Sequence, residues 1–309
     1  TDFGTYGEEN NRGFFLRDGG YYWAAGEYFA LALRGDIYSR GSWSSKLHTN
    51  YRKRYKFSGS FDFKYALNVY GERGLDTYQK SPQFAVTWSH SQDAKANPNQ
   101  TFSASVNFST SGFDKQNSLS AQNYLRTQKS SSVSFTKKFE NTPFNMSVNL
   151  RHSQNSTDTT ITLSLPEMTF SMAKIYPLRN KKRSGAAKWY EKFGINYTGN
   201  LRNSITSKES ELLQKSLADD WKNGIRHSIP ISLPNFNLMK FINVSPSFSY
   251  NEKWYFKKFD RSFHANEIFY DDRGTASNIK VDTITGLNRV FDYSYSLSAS
   301  TNIYGMFMP

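Results

Sequence analysis

Between Phe57 and Val69 the chain alternates. Phe57, Phe61, Phe63, Tyr65, Leu67 and Val69 hold odd positions, with Gly59 the one gap, while Ser58, Ser60, Asp62, Lys64, Ala66 and Asn68 hold the even ones. Successive side chains of a strand point to opposite faces, so this spacing predicts a β-strand with one ring-rich and one polar face. The period recurs in Phe84, Val86 and Trp88, in Phe102, Ala104, Val106 and Phe108, and in Phe144, Met146, Val148 and Leu150. It returns in Phe193, Ile195, Tyr197 and Leu201, in Val244, Phe248 and Tyr250, and in Tyr293, Tyr295, Leu297, Ala299 and Ile303. About a dozen such strands are expected from the pattern.

Residues 57–69, 193–205 and 291–305 read as strands of about a dozen residues or more. Soluble strands run to about 5 to 6 residues, and a tilted strand crossing a bilayer needs about 9 to 11. The stretches FENTPF, LPEM and ANPNQ predict short connections, and 111–129, 177–189 and 258–288 long polar loops. Short turns alternating with long loops are the pattern of an outer-membrane barrel. Simple parity does not sort the loops between residues 160 and 240, which predicts a strand missed or invented there. In TSKESELLQKSLADDW, Thr206 stands three residues before Glu209 as in a capping box, and Leu213, Leu217 and Trp221 form one stripe. That predicts a short helix over about 207–222 in a loop, either packed on the barrel rim or serving as a lid.

Composition sharpens this picture. Hydrophobic residues make up 37% of the chain, yet 17% are aromatic, with 25 Phe, 20 Tyr and 6 Trp, a mix that favours pleated strands over helices. The mean hydropathy is −0.68, and no run reaches the roughly 18 to 20 apolar residues of a spanning helix, so a helical membrane protein is excluded. A membrane β-barrel is not, because only alternate residues of its strands face lipid. The polar faces carry Ser, Asn, Thr and Gly more than charge, as suits a water-filled lumen, and Tyr51, Tyr55, Tyr70, Trp88, Tyr250, Trp254 and Tyr255 gather near strand ends as interfacial girdles would. The odd positions are therefore expected to touch lipid in an all-β, antiparallel transmembrane outer-membrane β-barrel. Spanning strands leave no open edge in hydrocarbon, so the sheet is expected to close on itself or with strands outside this chain. The final NIYGMFMP lacks a terminal strand signature, and the chain reads as part of a larger barrel.

Candidate chemistry is sparse. There is no cysteine, which removes disulfides, thiol nucleophiles and thiolate metal sites together. His48, His90, His152, His227 and His264 have no carboxylates at ligand spacing, and His90 and His152 share the parity of the lipid-facing residues at strand ends. Abundant serine gives a Ser–His hydrolase no specific support, the glycines of YGERG and RGDIYSRG lack phosphate-loop spacing, and Arg34-Gly35-Asp36 lies in an expected strand. No catalytic residue, cofactor or metal is expected, and no enzyme. The net charge of +13 suits nucleic acid, anionic lipid or an acidic partner. Against nucleic acid, the aromatics alternate along strands instead of lining one groove with the cations. The basic cluster at Lys181, Lys182, Arg183 and Lys188 reads either as a solvated loop or as a set of lipid-phosphate contacts.

The order of several motifs resembles a known family. RDGGYYWAAGEYFALALRGDIYSRGSWSSKLHTNYRKRYKFSG, then VTWSHSQD, then TFSASVNFSTS, resembles the opening of the barrel in the LptD family of lipopolysaccharide-assembly proteins of the Gram-negative outer membrane. The pair Tyr21 and Tyr22, the turn at Arg40 and Gly41, Trp88 to Ser91 and the strand from Thr101 fall in the family order. LSLPEMTFSMAKIYPL and WYEKFGINYTGNLRNSIT are similar to its continuation.

The resemblance implies a translocon without catalysis that inserts lipopolysaccharide into the outer leaflet. It further implies a barrel of about 26 strands with a lipoprotein plug of the LptE kind, and a periplasmic domain, outside this chain, that meets the Lpt bridge proteins. Lipid would leave sideways through a seam near the first strands, tolerable only where pairing is weak. The expected gate region is Gly19, Gly20, Tyr21, Tyr22, Gly26, Leu31, Leu33 and Gly35. Family members often carry proline there; here none precedes Pro82, and Gly19, Gly20, Gly26, Gly35 and Gly41 occupy the region. Residues 1–18 are expected as a lead-in and 19–309 as barrel. The alternatives are a porin-like channel or receptor-type transporter, and a soluble β-rich binding protein.

Overall fold

A computed structural model describes residues 1–118, 120–180, 185, 187–212, 221–239, 241–265, 267–270 and 276–301. The chain opens with β1 (Thr5–Glu9), β2 (Gly13–Ala24), β3 (Phe29–Tyr38), β4 (Trp43–Lys53), β5 (Phe57–Tyr70), β6 (Gln79–Gln92) and β7 (Gln100–Ser109). After α1 (Phe113–Asn117) and α2 (Ala121–Tyr124) come β8 (Gln128–Lys138), β9 (Phe144–Asn155) and β10 (Thr160–Ile175). A 3-10 turn at Trp189–Lys192 leads to β11 (Gly194–Lys208), α3 (Glu209–Leu212), β12 (Lys222–Ser232), β13 (Phe236–Leu238) and β14 (Ile242–Phe263). The pair β15 (Phe269–Tyr270) and β16 (Ala276–Ser277) precedes β17 (Ile279–Thr301). Strands β1 to β12 pair in chain order in one 15-stranded sheet, followed by β14, which pairs with β12, β13 and β17. Among the described residues no helix is long and apolar enough to cross a membrane.

Register converts the alternation into two faces. Phe61, Phe63 and Tyr65 of β5 oppose Thr49, Leu47 and Ser45 of β4 on one side and Trp88, Val86 and Phe84 of β6 on the other. Ser60, Asp62, Lys64 and Ala66 oppose Asn50, His48, Lys46 and Ser44 of β4. Rings thus collect on one face and polar groups on the other, as the period demands.

Packing divides the chain into two units. The first holds residues 1–138 with 147–167 and 204–221. In it the connection from β7 to β8 folds back onto the polar face, so that Ala66, Asn68, Gln83 and Ser109 are buried together with Phe113. Four bonds hold the connection down. Asn68 donates to Gln116 Oε1 at 3.1 Å, Thr110 Oγ1 to Gln83 Oε1 at 2.6 Å, Ser111 N to Glu209 Oε2 at 3.2 Å, and Lys129 Nζ pairs with Asp114 Oδ2 at 2.6 Å.

The second unit holds residues 139–146, 168–203 and 222–309. Its centre is β14, whose ladder with β17 runs from Ile242 opposite Thr301 to Phe263 opposite Ile279, with one irregularity between Tyr255 and Lys257. Aromatic contacts follow the ring-rich face: Phe144 on Phe170 at 5.4 Å, and His227 against Trp254 at 4.4 Å.

Several expectations change. LPEM is not a turn: Leu165 to Met168 lie inside the 16-residue β10. This is the invented break that spoiled the parity, since the real turn is at 156–159. The long loop expected over 258–288 is largely strand, because β14 continues to Phe263 and β17 begins at Ile279. Charges on both faces there, such as Lys257, Lys258, Asp260 and Arg261, had masked the period. Thr206 does not cap a helix but lies in β11, bonded to Thr162 Oγ1 at 3.1 Å. Of the helix expected over 207–222, Glu209–Leu212 is helical, Lys222 already belongs to β12, and 213–220 lie outside the described residues. Residues 1–18 contain β1 and the first half of β2, so the boundary expected at Gly19 falls within a strand.

Candidate functional site

Apart from Gly26, the residues expected at a gate lie on two adjacent strands. Gly19 faces Gly35, Gly20 faces Arg34, Tyr21 faces Leu33, Tyr22 faces Ala32 and Trp23 faces Leu31 across β2 and β3. Gly26, with φ of +151°, turns the chain between them, a conformation that favours glycine. Tyr21, Leu31 and Leu33 share the ring-rich face, and Tyr22 stands on the polar face.

β2 is interrupted. Its register with β3 shifts between Leu16 and Gly19, where Asp18 takes a φ of +59°. Such a bulge re-aims the residues before it, so Phe15 comes opposite Tyr38. Asp36, 6% exposed, holds the bulge. Its carboxylate accepts from Asp18 N at 2.8 Å and from Ser44 Oγ at 2.6 Å, and Lys46 Nζ lies 3.0 Å from Asp36 and 2.8 Å from Asp18.

The outer edge of β2 changes partner at the same point. β1 pairs with it only from Gly13 to Arg17, and a single bridge joins Asp2 to Gly20. From Tyr21 to Ala24 no strand pairs with that edge among the described residues. Tyr21 and Tyr22 are each 60% exposed and Trp23 55%.

Beside this edge lies a cavity of about 640 Å³ on the polar face of β2 to β5, bounded by the connection that carries α1 and α2. Arg17, Arg34, Lys46 and Lys64 line it with Asp18, Asp36, Asp62 and Asp114. Tyr22 lines it too, which links the cavity to the unpaired edge. His48 is held between Asp62 Oδ1 at 2.6 Å and Asn50 Nδ2 at 2.8 Å. The lining can hold phosphates and sugar hydroxyls by charge-assisted hydrogen bonds. Arg34-Gly35-Asp36 is no adhesion loop, for it lies within β3 with Asp36 buried. Among the described residues no group of three His, Asp or Glu side chains could hold a metal ion.

Lys181, Lys182 and Arg183 lie outside the described residues, and exposed Lys188 places its Nζ 5.7 Å from the Tyr190 ring centroid. His90 and His152 sit on the ring-rich face, bonded to Tyr51 Oη at 2.8 Å and Ser131 Oγ at 3.1 Å.

A family model described as LptD protein matches residues 2–309. The chain belongs to the LptD family. No curated protein matches it. LptD-family proteins are β-barrels of the Gram-negative outer membrane that serve lipopolysaccharide transport and assembly. In this LptD-family chain the ring-rich face therefore meets lipid. That accounts for its many exposed large apolar side chains, which on a soluble protein would exceed the few hundred Å² of a normal patch.

Sequence reasoning missed Asp36, Lys46, Asp114 and Lys129. A signal was available for two of them: Asp36 and Lys46 are charges at even positions, on the face opposite Leu33, Ile37 and Leu47. Nothing local marks Asp114 and Lys129, because their pairing depends on how the connection folds back.

Proposed function

We propose that this chain forms the wall of a lipopolysaccharide translocon in which the lipid leaves sideways past the first strands. The observation that carries the reading is the edge of β2 from Tyr21 to Ala24, without a strand partner among the described residues and continuous through Tyr22 with a charged cavity. Backbone groups unpaired in hydrocarbon cost several kcal/mol each, so such an edge needs a closing strand, and a seam closed over few rungs is the cheapest to part. The sugar and phosphate part would travel along the polar face, where Lys64 offers a counter-charge and Arg34 could exchange its Asp2 partner for a phosphate, while the acyl chains pass to the side of Tyr21 and Leu33. A lipoprotein plug of the LptE kind and the periplasmic Lpt bridge proteins belong to the same reading, on the family resemblance alone.

The test places a photo-crosslinking amino acid at single positions of the full-length protein in cells. Capture of lipopolysaccharide at Tyr22 and Trp23, and its absence at Phe63 on the lipid face of β5, is the expected result. No capture at either β2 position in a functional protein would overturn the reading.

A further inference from the structure

A second cationic pocket lies on the opposite, lipid-facing side of the same strands. It has a volume of about 470 Å³ and is built from the β3–β4 turn at Ser39, Arg40 and Gly41, the end of β5 at Leu67 and Val69, the following connection at Gly71, Arg73 and Tyr78, and Lys80 of β6. Val69 pairs with Lys80 and Leu67 with Pro82 across β5 and β6, which puts both apolar residues on the face of Phe61 and Phe63. The pocket thus stands where that face ends and the connections begin, at the boundary of hydrocarbon and water.

Its charge is of one sign. Arg40, Arg73 and Lys80 line it and no acidic residue does. All three are exposed, and none forms an ion pair with a carboxylate among the described residues, although Glu72 and Asp76 belong to the same connection. The Arg40 guanidinium reaches only the Asn11 carbonyl, at 3.4 Å. The Arg73 guanidinium and, less strongly, the Lys80 ammonium hold the Tyr78 hydroxyl below the usual phenol pKa. Lys80 Nζ lies 5.9 Å from the Tyr78 ring centroid, so the phenol gathers two cations. The backbone is shaped for the arrangement at Gly71, where φ is +75° and a Cβ would stand 2.3 Å from Thr77 O.

Three like charges held together without a counter-ion are destabilised by mutual repulsion and relieved by an anion. Half-buried Leu67 beside them, with Val69 packed beneath it, selects an anion that brings apolar chains. We propose that Arg40, Arg73 and Lys80 bind the phosphate of a lipid headgroup, with its acyl chains lying along Leu67. The occupant is a membrane lipid of the surrounding leaflet, and the site is separate from the route through the polar face.

The test uses the full-length protein with its partners, reconstituted in phosphatidylcholine vesicles that contain a minor fraction of dibrominated phosphatidylglycerol. Quenching of tryptophan fluorescence, to which Trp43 beside Leu67 contributes, reports the relative affinity of the anionic lipid. The triple substitution Arg40→Gln, Arg73→Gln, Lys80→Gln is expected to lower that affinity at least about tenfold, since each basic residue near an anionic surface contributes severalfold. Quenching by dibrominated phosphatidylcholine should not change. The charge-conserving pair Arg40→Lys and Arg73→Lys should keep most of the binding, which separates loss of charge from loss of fold. Equal phosphatidylglycerol affinity in the wild-type and triple-Gln proteins overturns the site. Complete displacement of the lipid by millimolar inorganic phosphate overturns the lipid in favour of a free anion.

Discussion

Gly19 and Gly35 stand directly opposite each other across β2 and β3, immediately beyond the bulge that Asp36 holds. Opposed residues of antiparallel strands have Cα atoms roughly 4.5 to 5.5 Å apart, within reach of a disulfide. These 309 residues contain no other thiol to compete for the pairing. In the full-length protein, Gly19→Cys with Gly35→Cys is expected to form a disulfide and leave lipopolysaccharide export running, because the bond ties β2 to β3 and the proposed seam is the other edge of β2. Export that stops with the bond formed and returns with a reductant would move the parting to the β2–β3 pair.

The two adjacent glycines of β2 should respond differently to alanine. A Cβ on Gly20 would lie 2.1 Å from Leu33 O and 2.8 Å from Arg34 Cα, both backbone atoms, whereas a Cβ on Gly19 meets nothing closer than 3.9 Å. Gly20→Ala is expected to cost about 1–3 kcal/mol, as overpacking typically does. Gly19→Ala should stay within about 0.5 kcal/mol. Urea unfolding of the barrel in detergent, followed by the mobility of the folded band, measures both.

Asp36→Ala removes the acceptor that joins Asp18 N, Ser44 and Lys46. The donors left behind cost about 1–3 kcal/mol. The bulge should loosen, and protease cleavage between Leu16 and Gly20 should rise in the folded protein. Unchanged cleavage would mean that the bulge is held by the β2 backbone alone.

Tyr51 links two neighbours on the lipid-facing side. Trp88 Nε1 donates to its hydroxyl at 2.8 Å, and the same oxygen lies 2.8 Å from His90 Nδ1. In the second unit Tyr197 makes the corresponding contact to His227 at 2.8 Å, where His227 packs on Trp254. Tyr51→Phe orphans two partners and Tyr197→Phe orphans one. The first should therefore destabilise the folded barrel more, by about 1–3 kcal/mol against about 1. Thermal unfolding in lipid, with both variants measured in the same preparation, gives the order.

The strands were legible where one face meets lipid and the other water, because a period of two then appears in the residue types themselves. β5 was expected over 57–69 and spans Phe57–Tyr70. Where both faces carry charge the types stop alternating, and the end of β14 and the start of β17 show no strand period in the sequence. Pro166 produced the opposite error: a proline suggests a break, yet β10 accommodates it. The different tolerances of Gly19 and Gly20 could not be read from sequence, since whether a Cβ fits at Gly20 depends on a carbonyl 13 residues away at Leu33. The cavity was invisible for a similar reason. Its boundary is set by Asp114 meeting Lys129 and Asn68 meeting Gln116, contacts between segments that no local pattern connects.

The hairpin of β14 and β17 has a colloidal consequence. Its strands are 22 and 23 residues long, about twice the 9 to 11 that a bilayer crossing uses. Much of the ladder therefore stands in water, where an extended edge is a template for pairing with a neighbouring molecule. Lys257, Lys258, Asp260 and Arg261 on one strand and Lys280 and Asp282 on the other populate that stretch. Any molecule that docked there in register would have to bury these charges against its own backbone. Charge along a strand edge in water disfavours pairing between crowded barrels.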